Sequence, residues 1–289
     1  MSRVWFDGAV QPAAQVRVSL WNHSLHYGFG VFEGLRSYSR SGRPAVFRLE
    51  DHVARLYRSA ELVGLEVAFE PGTVVEACHE VLAANGLTTA YLRPLAFLGD
   101  GLEGIRGSGV RPHLAVLAWS WDVRPADGLS LAVPGMRKPD PASVPLQAKA
   151  TGQYLQAKVA QWRAHRRGFH DAIVLDHQGM VSEATAQNVF AVVEGRLVTP
   201  PTESCLIGIT RDAVLGLAAG LGIDAAVQPL TVAQLLAADE VFLTSTAVEV
   251  LPVHRIENRE LRTGPVTRLL MDAYRDTVSG VAEVAGSDD

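Results

Sequence analysis

Leu146-Gln147-Ala148-Lys149-Ala150-Thr151-Gly152-Gln153-Tyr154 is the stretch on which the reading of this chain turns. It lies between a loop carrying Pro134, Pro139, Pro141 and Pro145 and a helix expected from about Gln153 to Arg167. The small residues beside the lysine would let a planar ligand approach. An amine desolvated in such a place has a lowered pKa, which suits Schiff-base chemistry; a solvated loop lysine is the competing reading. Lysine is scarce, because of 26 Lys and Arg only Lys138, Lys149 and Lys158 are lysine. Lys138, among Arg137, Pro139 and Asp140, reads as solvated loop. Lys158 reads as exposed on a helix whose apolar stripe is Leu155, Val159 and Trp162.

Working outward, Asp171 to Asp176 begins a β-meander that turns at His177-Gln178-Gly179 and Glu194-Gly195. Thr210 to Gly220 and Val266 to Val278 read as helices, with a strand at Val241 to Leu243. Upstream, Val4 to Phe6 and Ala45 to Arg48 read as strands. From Glu50 the apolar spacing becomes helical through Val53, Leu56, Ala60 and Val63, with Gly64 as the stop. A second helix is expected from about Gly72 to Asn85, then strands at Ala90 to Leu98 and His113 to Trp119. His26 beside Tyr27-Gly28 reads as loop. The polar, Pro- and Gly-bearing interval from Trp121 to Gly128 marks a boundary. The expected domains are a small α+β domain over 1–121, a connection over 122–134 and a larger domain over 135–289, with a disordered tail at Gly286 to Asp289.

The chain has 289 residues, of which 48% are hydrophobic and 20% charged, which fits a globular protein with a large core. Its longest apolar run, Ala213 to Ile223, falls short of the roughly 20 residues of a membrane span. Residues 1–8 lack an export signal's pattern. Cys78 and Cys205 have no CxxC spacing, which speaks against a disulfide framework or a thiolate metal site and for a reducing cytoplasm. Net charge is -5 with basic residues scattered among acidic ones, which argues against nucleic acid as a partner.

Gly99-Asp100-Gly101-Leu102-Glu103-Gly104 matches GxGxxG after a strand, but Ile105 to Pro112 cannot open the helix that a dinucleotide phosphate needs. The HxxH of His23 and His26 lacks a third ligand, so no metal is expected, and there is no GxSxG nucleophile elbow. Two segments do suit an anion. Leu206-Ile207-Gly208-Ile209-Thr210-Arg211 leads into a helix, aiming the N–H groups of Ile209 and Thr210 from its positive end. Leu243 to Glu249 offers hydroxyls and N–H groups after a strand, or is an ordinary Thr/Ser turn. Glu183 is a lone carboxylate in a neutral β-rich stretch; buried it would need a cationic partner, and on an edge strand none.

Taken together these segments resemble the fold type IV pyridoxal-phosphate enzymes, and among them the branched-chain amino acid aminotransferases. The resemblance runs in order through Leu25-His26-Tyr27-Gly28 with Val31-Phe32-Glu33-Gly34-Leu35-Arg36, His52 to Leu56, Tyr91-Leu92-Arg93-Pro94-Leu95, Ala148-Lys149-Ala150 with Tyr154, Ser182-Glu183 with Asn188, Gly208 to Arg211, and Thr246-Ala247 with Glu249. It implies a two-domain α/β and α+β fold of the D-amino acid aminotransferase type, with a small N-terminal α+β domain and a larger C-terminal pseudo-barrel domain. It implies pyridoxal 5'-phosphate as cofactor, with Lys149 as Schiff-base amine and catalytic base. Arg55, Ile209, Thr210 and Thr246 would hold the phosphate, Tyr154 the phenolic oxygen, Leu206 the ring face and Glu183 the ring nitrogen. Substrate would meet Tyr27, Phe32, Gly34, Arg36, Tyr91, Arg93, Thr246 and Ala247. Thr246-Ala247 and Tyr91 would take the α-carboxylate, and Arg93 and Tyr27 the second carboxylate of glutamate. The implied reaction moves an amino group from an L-branched-chain amino acid to 2-oxoglutarate by a ping-pong cycle, in a homodimer whose partner supplies Tyr27, or a higher oligomer. D-amino acid and (R)-amine transaminases and aminodeoxychorismate lyase share the fold and are the alternatives. The chain departs from the family's EGxxEN pattern after Glu183, at Ile207, and in the loop after Phe97.

Overall fold

The computed structural model describes residues 2–101, 104–107, 109–121 and 128–280. Among these, one compact unit takes in residues 2–121 with Ala148–Tyr154, and a second takes in residues 128–147 and 155–280. The expected boundary interval lies partly outside the described residues, as do Leu102, Glu103 and the C-terminal tail.

The first unit begins with β1 (Arg3–Phe6) and β2 (Ala9–Pro12), followed by α1 (His23–Tyr27), β3 (Gly30–Phe32), β4 (Leu35–Arg40) and β5 (Arg43–Val46). Helices α2 (Leu49–Val63) and α3 (Pro71–Asn85) precede β6 (Ala90–Leu98) and β7 (Pro112–Ser120). The strands form one antiparallel sheet ordered β2-β1-β7-β6-β4-β5, with β3 also paired to β6. Leu56 of α2 and Val74, Val81 and Leu82 of α3 are fully buried in one core with Leu35, Leu92 and Leu114 of the sheet. Each such side chain contributes about 1.5–3 kcal/mol. Gly64 ends α2 in the left-handed region, where a residue with Cβ is strained.

Two local expectations are corrected here. The segment around His26, expected as loop, is a helical turn: Asn22 Oδ1 accepts from the Leu25 N–H at 3.0 Å and Gly28 closes the turn. The strand expected at Ala45 to Arg48 ends at Val46, and Arg48 takes φ 49° to start α2.

The second unit contains β8 (Leu129–Ala132), α4 (Tyr154–His165, its first residue counted with the first unit), β9 (Asp171–Leu175), β10 (Val181–Ala184), β11 (Asn188–Val193) and β12 (Arg196–Thr199). Next come α5 (Ile209–Gly220), β13 (Ala225–Val227), α6 (Val232–Ala237), β14 (Glu240–Ser245), β15 (Glu249–Ile256), β16 (Arg259–Glu260) and α7 (Pro265–Ser279). The sheet order is β10-β9-β8-β15-β14-β11-β12-β13, with β16 on β15. It is mixed: β8 runs parallel to β9 and β15, β13 runs parallel to β12, and the other pairs are antiparallel. Residues 129–132 form β8, a strand interior to this sheet.

The stripe assigned to α4 is also corrected. The helix buries Ala160 and Ala164 against Ala132, Ala172 and Val174, while Leu155 and Trp162 are 72% and 54% exposed. Small residues let the helix lie close on β8 and β9, a packing that hydrophobic periodicity does not register. Lys158 is exposed.

Candidate active site

The backbone around Lys149 is pinned on both sides within the first unit. The Lys149 N–H donates to Ser59 Oγ on α2 at 3.0 Å, and its carbonyl accepts from the Phe32 N–H at 3.1 Å. Ala150 bridges Val31, and Thr151 Oγ1 donates to the carbonyls of Gly28 and Gly30 at 2.7 and 3.2 Å. A Cβ on Gly152 would stand 3.0 Å from the Gly28 carbonyl oxygen, and one on Gly28 would stand 3.1 Å from Gly152 Cα, so both crossing points need glycine. Ala148 and Ala150 are buried, and the lysine between them is half-buried. Its Nζ donates to Tyr154 Oη at 2.9 Å and lies 5.1 Å from the centre of the Phe32 ring. Phe32 and Tyr154 pack on each other with ring centres 5.0 Å apart.

Below this amine lies a buried ionic cluster. Arg55 Nε and Nη2 donate to the two oxygens of Glu33 at 2.7 and 2.9 Å. His52 Nδ1 lies 2.8 Å from Glu33 Oε2, and the Gly34 N–H donates to the same oxygen at 3.2 Å. Burial works against the charge on Glu33, but the Arg55 guanidinium and the hydrogen bonds from Arg55 and His52 outweigh it and hold the carboxyl far below its usual range. Burial also lowers the pKa of His52 despite Glu33 beside it, which leaves a neutral imidazole. The Arg55 guanidinium keeps its charge: burial opposes it and Glu33 more than compensates.

Arg93 lies over the rings of Phe32, Tyr91 and Trp119 at 4.7, 5.5 and 5.9 Å, and its buried Nε has no hydrogen-bond partner among the described residues. Tyr91 also packs on Trp121, with ring centres 5.3 Å apart. A Cβ on Gly34 would stand 1.9 Å from Tyr91 Oη, so glycine there makes room for the tyrosine. Arg36 is buried with its guanidinium 4.9 Å from the Tyr38 ring. Tyr27 is 43% exposed and packs on His23. The structure therefore gathers Lys149, Tyr154, Phe32, Tyr91, Arg93, Gly34 and Arg55, and leaves Tyr27 at the surface of this chain.

In the second unit a β-bulge between Val181 and Glu183 precedes the pairing of Glu183 with Val174. The Glu183 side chain is 12% exposed and forms an ion pair with Lys138, whose side chain is 13% exposed. Lys138, expected to be solvated, is thus the cationic partner that a buried Glu183 requires. Glu183 Oε2 also accepts from Asn188 Nδ2 at 3.2 Å, which donates further to the Leu206 carbonyl at 3.0 Å. A Cβ on Gly208 would stand 2.0 Å from Asn188 Oδ1. Ile209 and Thr210 form the buried first turn of α5, whose N-cap, Gly208, provides no side-chain hydrogen bond. Register pairs Asn188 of β11 with Thr244 of β14, so the Thr246-Ala247 turn after β14 sits at the sheet end where Asn188 lies.

Glu33, His52, Ser59, Lys138 and Asn188 had no role in the sequence reading; their partners lie far along the chain, and the need of a buried carboxylate for a cation was the one available signal. Among the described residues no group of three or more His, Cys, Asp or Glu could hold a metal. The residues do fit pyridoxal phosphate. In the first unit an amine beside a phenol suits its aldehyde and ring oxygen; in the second, taken by itself, an uncapped helix tip suits its phosphate and a nearly buried carboxylate suits a protonated ring nitrogen.

Comparison with known proteins agrees with this fit. The family described as amino-transferase class IV matches residues 30–256. The branched-chain-amino-acid aminotransferase of Escherichia coli strain K12 is 37% identical over 290 residues, covering 97% of this chain and 94% of its own length. A branched-chain aminotransferase from Thermoproteus uzoniensis, solved with norvaline, superposes with TM-score 0.94 at 37% identity, over 98% of this chain and 96% of that one. The branched-chain amino acid aminotransferase from Thermobaculum terrenum, solved in its PLP-bound holo-form, superposes with TM-score 0.91 at 29% identity, over 97% and 95%. Fold, site chemistry and these likenesses, across nearly the whole chain, lead to one conclusion: this chain belongs to the class IV aminotransferases, in their branched-chain-amino-acid aminotransferase group.

Proposed function

We propose that the chain moves the amino group of an L-branched-chain or similar hydrophobic amino acid to 2-oxoglutarate in two successive half-reactions, with pyridoxal 5'-phosphate as cofactor. The half-buried amine of Lys149, 2.9 Å from Tyr154 Oη on a backbone held at both ends, carries this reading. The names of relatives 34% and 37% identical, branched-chain-amino-acid aminotransferases, support the substrate class.

Lys149 would hold the cofactor's aldehyde carbon, Arg55, Ile209, Thr210 and Thr246 its phosphate, Tyr154 its phenolic oxygen, Leu206 its ring face and Glu183 its ring nitrogen. When bound, the cofactor supplies a conjugated ring that accepts the electron pair left at the substrate Cα. The amine of Lys149, freed from the cofactor, would take the proton from that Cα and deliver it to the cofactor's aldehyde-derived carbon. Tyr154 orients the amine, and Glu183 keeps a proton on the ring nitrogen. The Thr246-Ala247 turn and Tyr91 take the substrate α-carboxylate. Arg93, in its aromatic surround, and Tyr27 take the second carboxylate of glutamate, while Phe32, Gly34 and Arg36 shape the side-chain pocket.

Val18, Leu20, Trp21, Leu25 and Tyr27 are all exposed on one segment, an apolar surface that supports a homodimer in which Tyr27 serves the other copy's site. Light scattering reads the dimer and any larger assembly. Cys78 and Cys205 are buried free thiols, a usage that fits a reducing cytoplasm.

Borohydride treatment after incubation with pyridoxal phosphate should fix the cofactor to Lys149, and Lys149→Ala should abolish both that label and turnover. A colourless protein that takes up no pyridoxal phosphate would remove the reading. L-leucine, L-valine, D-alanine and (R)-1-phenylethylamine, each offered with 2-oxoglutarate, separate the transaminases of this fold. Repeated turnover of aminodeoxychorismate without any oxo-acid acceptor, beyond one equivalent per chain, would assign the chain to lyase chemistry.

A further inference from the structure

Lys138 is one of the chain's three lysines, and its place is fixed by the fold. Its N–H donates to the Leu175 carbonyl at 2.7 Å, and Arg137 bridges Leu175, so the residue is tied to the end of β9. Glu183 stands on the neighbouring strand β10, opposite Val174 of β9. Both side chains are nearly buried, and the Lys138 ammonium meets Oε1 of Glu183 while Asn188 Nδ2 holds Oε2. One donor on each oxygen fixes the carboxylate plane. A carboxylate has about four acceptor sites, so two remain for a further donor. Asn188 is anchored in turn to the Leu206 carbonyl beside the helix tip expected to hold phosphate.

We propose that Lys138 is a positioning residue: its ammonium, with Asn188, holds the Glu183 carboxylate oriented so that its remaining acceptor sites meet the cofactor's ring nitrogen. The inference rests on the proposed role of Glu183 and extends it to a side chain that touches neither substrate nor cofactor.

The test is equilibrium uptake by the apoprotein of pyridoxal phosphate and of its 1-deaza analogue, which has carbon where the ring nitrogen stands, followed by fluorescence quenching. Lys138→Met should weaken uptake of pyridoxal phosphate about tenfold and of the analogue less than about twofold. Lys138→Arg should restore the difference, and in a Glu183→Gln background Lys138→Met should change neither affinity more than about twofold. In the loaded enzyme the first half-reaction should slow about tenfold in Lys138→Met while the amino acid concentration for half-saturation stays put. Equal weakening of both ligands, the same loss in the Glu183→Gln background, or no loss at all would overturn the proposal. Failure of the unmutated protein itself to take up pyridoxal phosphate would instead bring down the proposed function, and this inference with it.

Discussion

Glu33 in the first unit, fully buried, and Glu183 in the second, nearly so, are both bound to a cation, and the two are finished differently. Glu33 is completely buried and accepts four donors: two from Arg55, one from His52 and the N–H of Gly34. That fills a carboxylate's capacity. Glu183 keeps 12% of its side-chain surface and has two donors among the described residues, one from Lys138 and one from Asn188. The saturated carboxylate is a brace that fixes Arg55; the half-satisfied one can still take a proton donor from a ligand. What a buried acid can do for chemistry thus follows from how many of its lone pairs the fold leaves over.

The sharpest way to break the contrast is to neutralise both acids. Glu33→Gln takes the carboxylate away from the buried Arg55 guanidinium and should cost about 3–5 kcal/mol in urea unfolding of the apoprotein, and less with the cofactor bound, whose phosphate Arg55 would meet. Glu183→Gln, at a site with one cation and an open side, should cost about 1–2 kcal/mol and instead slow amino transfer by about a hundredfold or more. Comparable stability losses would erase the distinction.

Gly34→Ala tests the brace's neighbour. Its new methyl would meet Tyr91 Oη at 1.9 Å and Cζ at 2.7 Å, so a loss of about 1–3 kcal/mol is expected, with only part of it recovered in combination with Tyr91→Phe, which removes the oxygen and leaves the ring carbon. Thermal melts of the two variants read it directly. No recovery would mean that the strain lies in the backbone instead.

Acid provides the gentlest probe. Burial makes His52 a weaker base in the folded chain than its ordinary value of 6.5, so below that value the unfolded chain binds more protons and stability falls as pH drops. Glu33 has the same sign lower down: its contribution is whole above the ordinary 4.5 and is lost as pH falls toward its depressed folded value. Protection of the α2 amides, measured as exchange relative to the intrinsic rate at each pH, should therefore fall below about pH 6.5, and His52→Gln should flatten that first step. Protection unchanged down to about pH 5 would show that His52 is protonated in the fold.

Much of this was legible in the sequence where the signal is local. Gly64 stops α2, and the helices at α5 and α7 begin and end within one residue of their expected bounds. Lys149 stood out because two of the three amines could be read from their neighbours, though the reading of Lys138 failed. It failed because its partner lies 45 residues away, and Glu33 likewise lies 19 and 22 residues from His52 and Arg55. Composition around one residue carries no trace of such pairings. The face of α4 was misread because alanine, not leucine, makes its close contact. At α6 the signal was present and unused: Thr231 and Gln234 form a capping box, a spacing visible in the sequence.

The scarcity of lysine has a practical corollary for anyone treating this protein with aldehydes. Lys138 is engaged with a carboxylate, and Lys158 stands in the open on α4 with Gln161 as its neighbour. The arginines that make up the rest of the basic side chains do not form imines under mild conditions. Reductive labelling should therefore yield a stoichiometry close to one per chain, with a background confined to the Lys158 peptide and the chain's α-amine, so the fraction of competent molecules in any preparation can be counted.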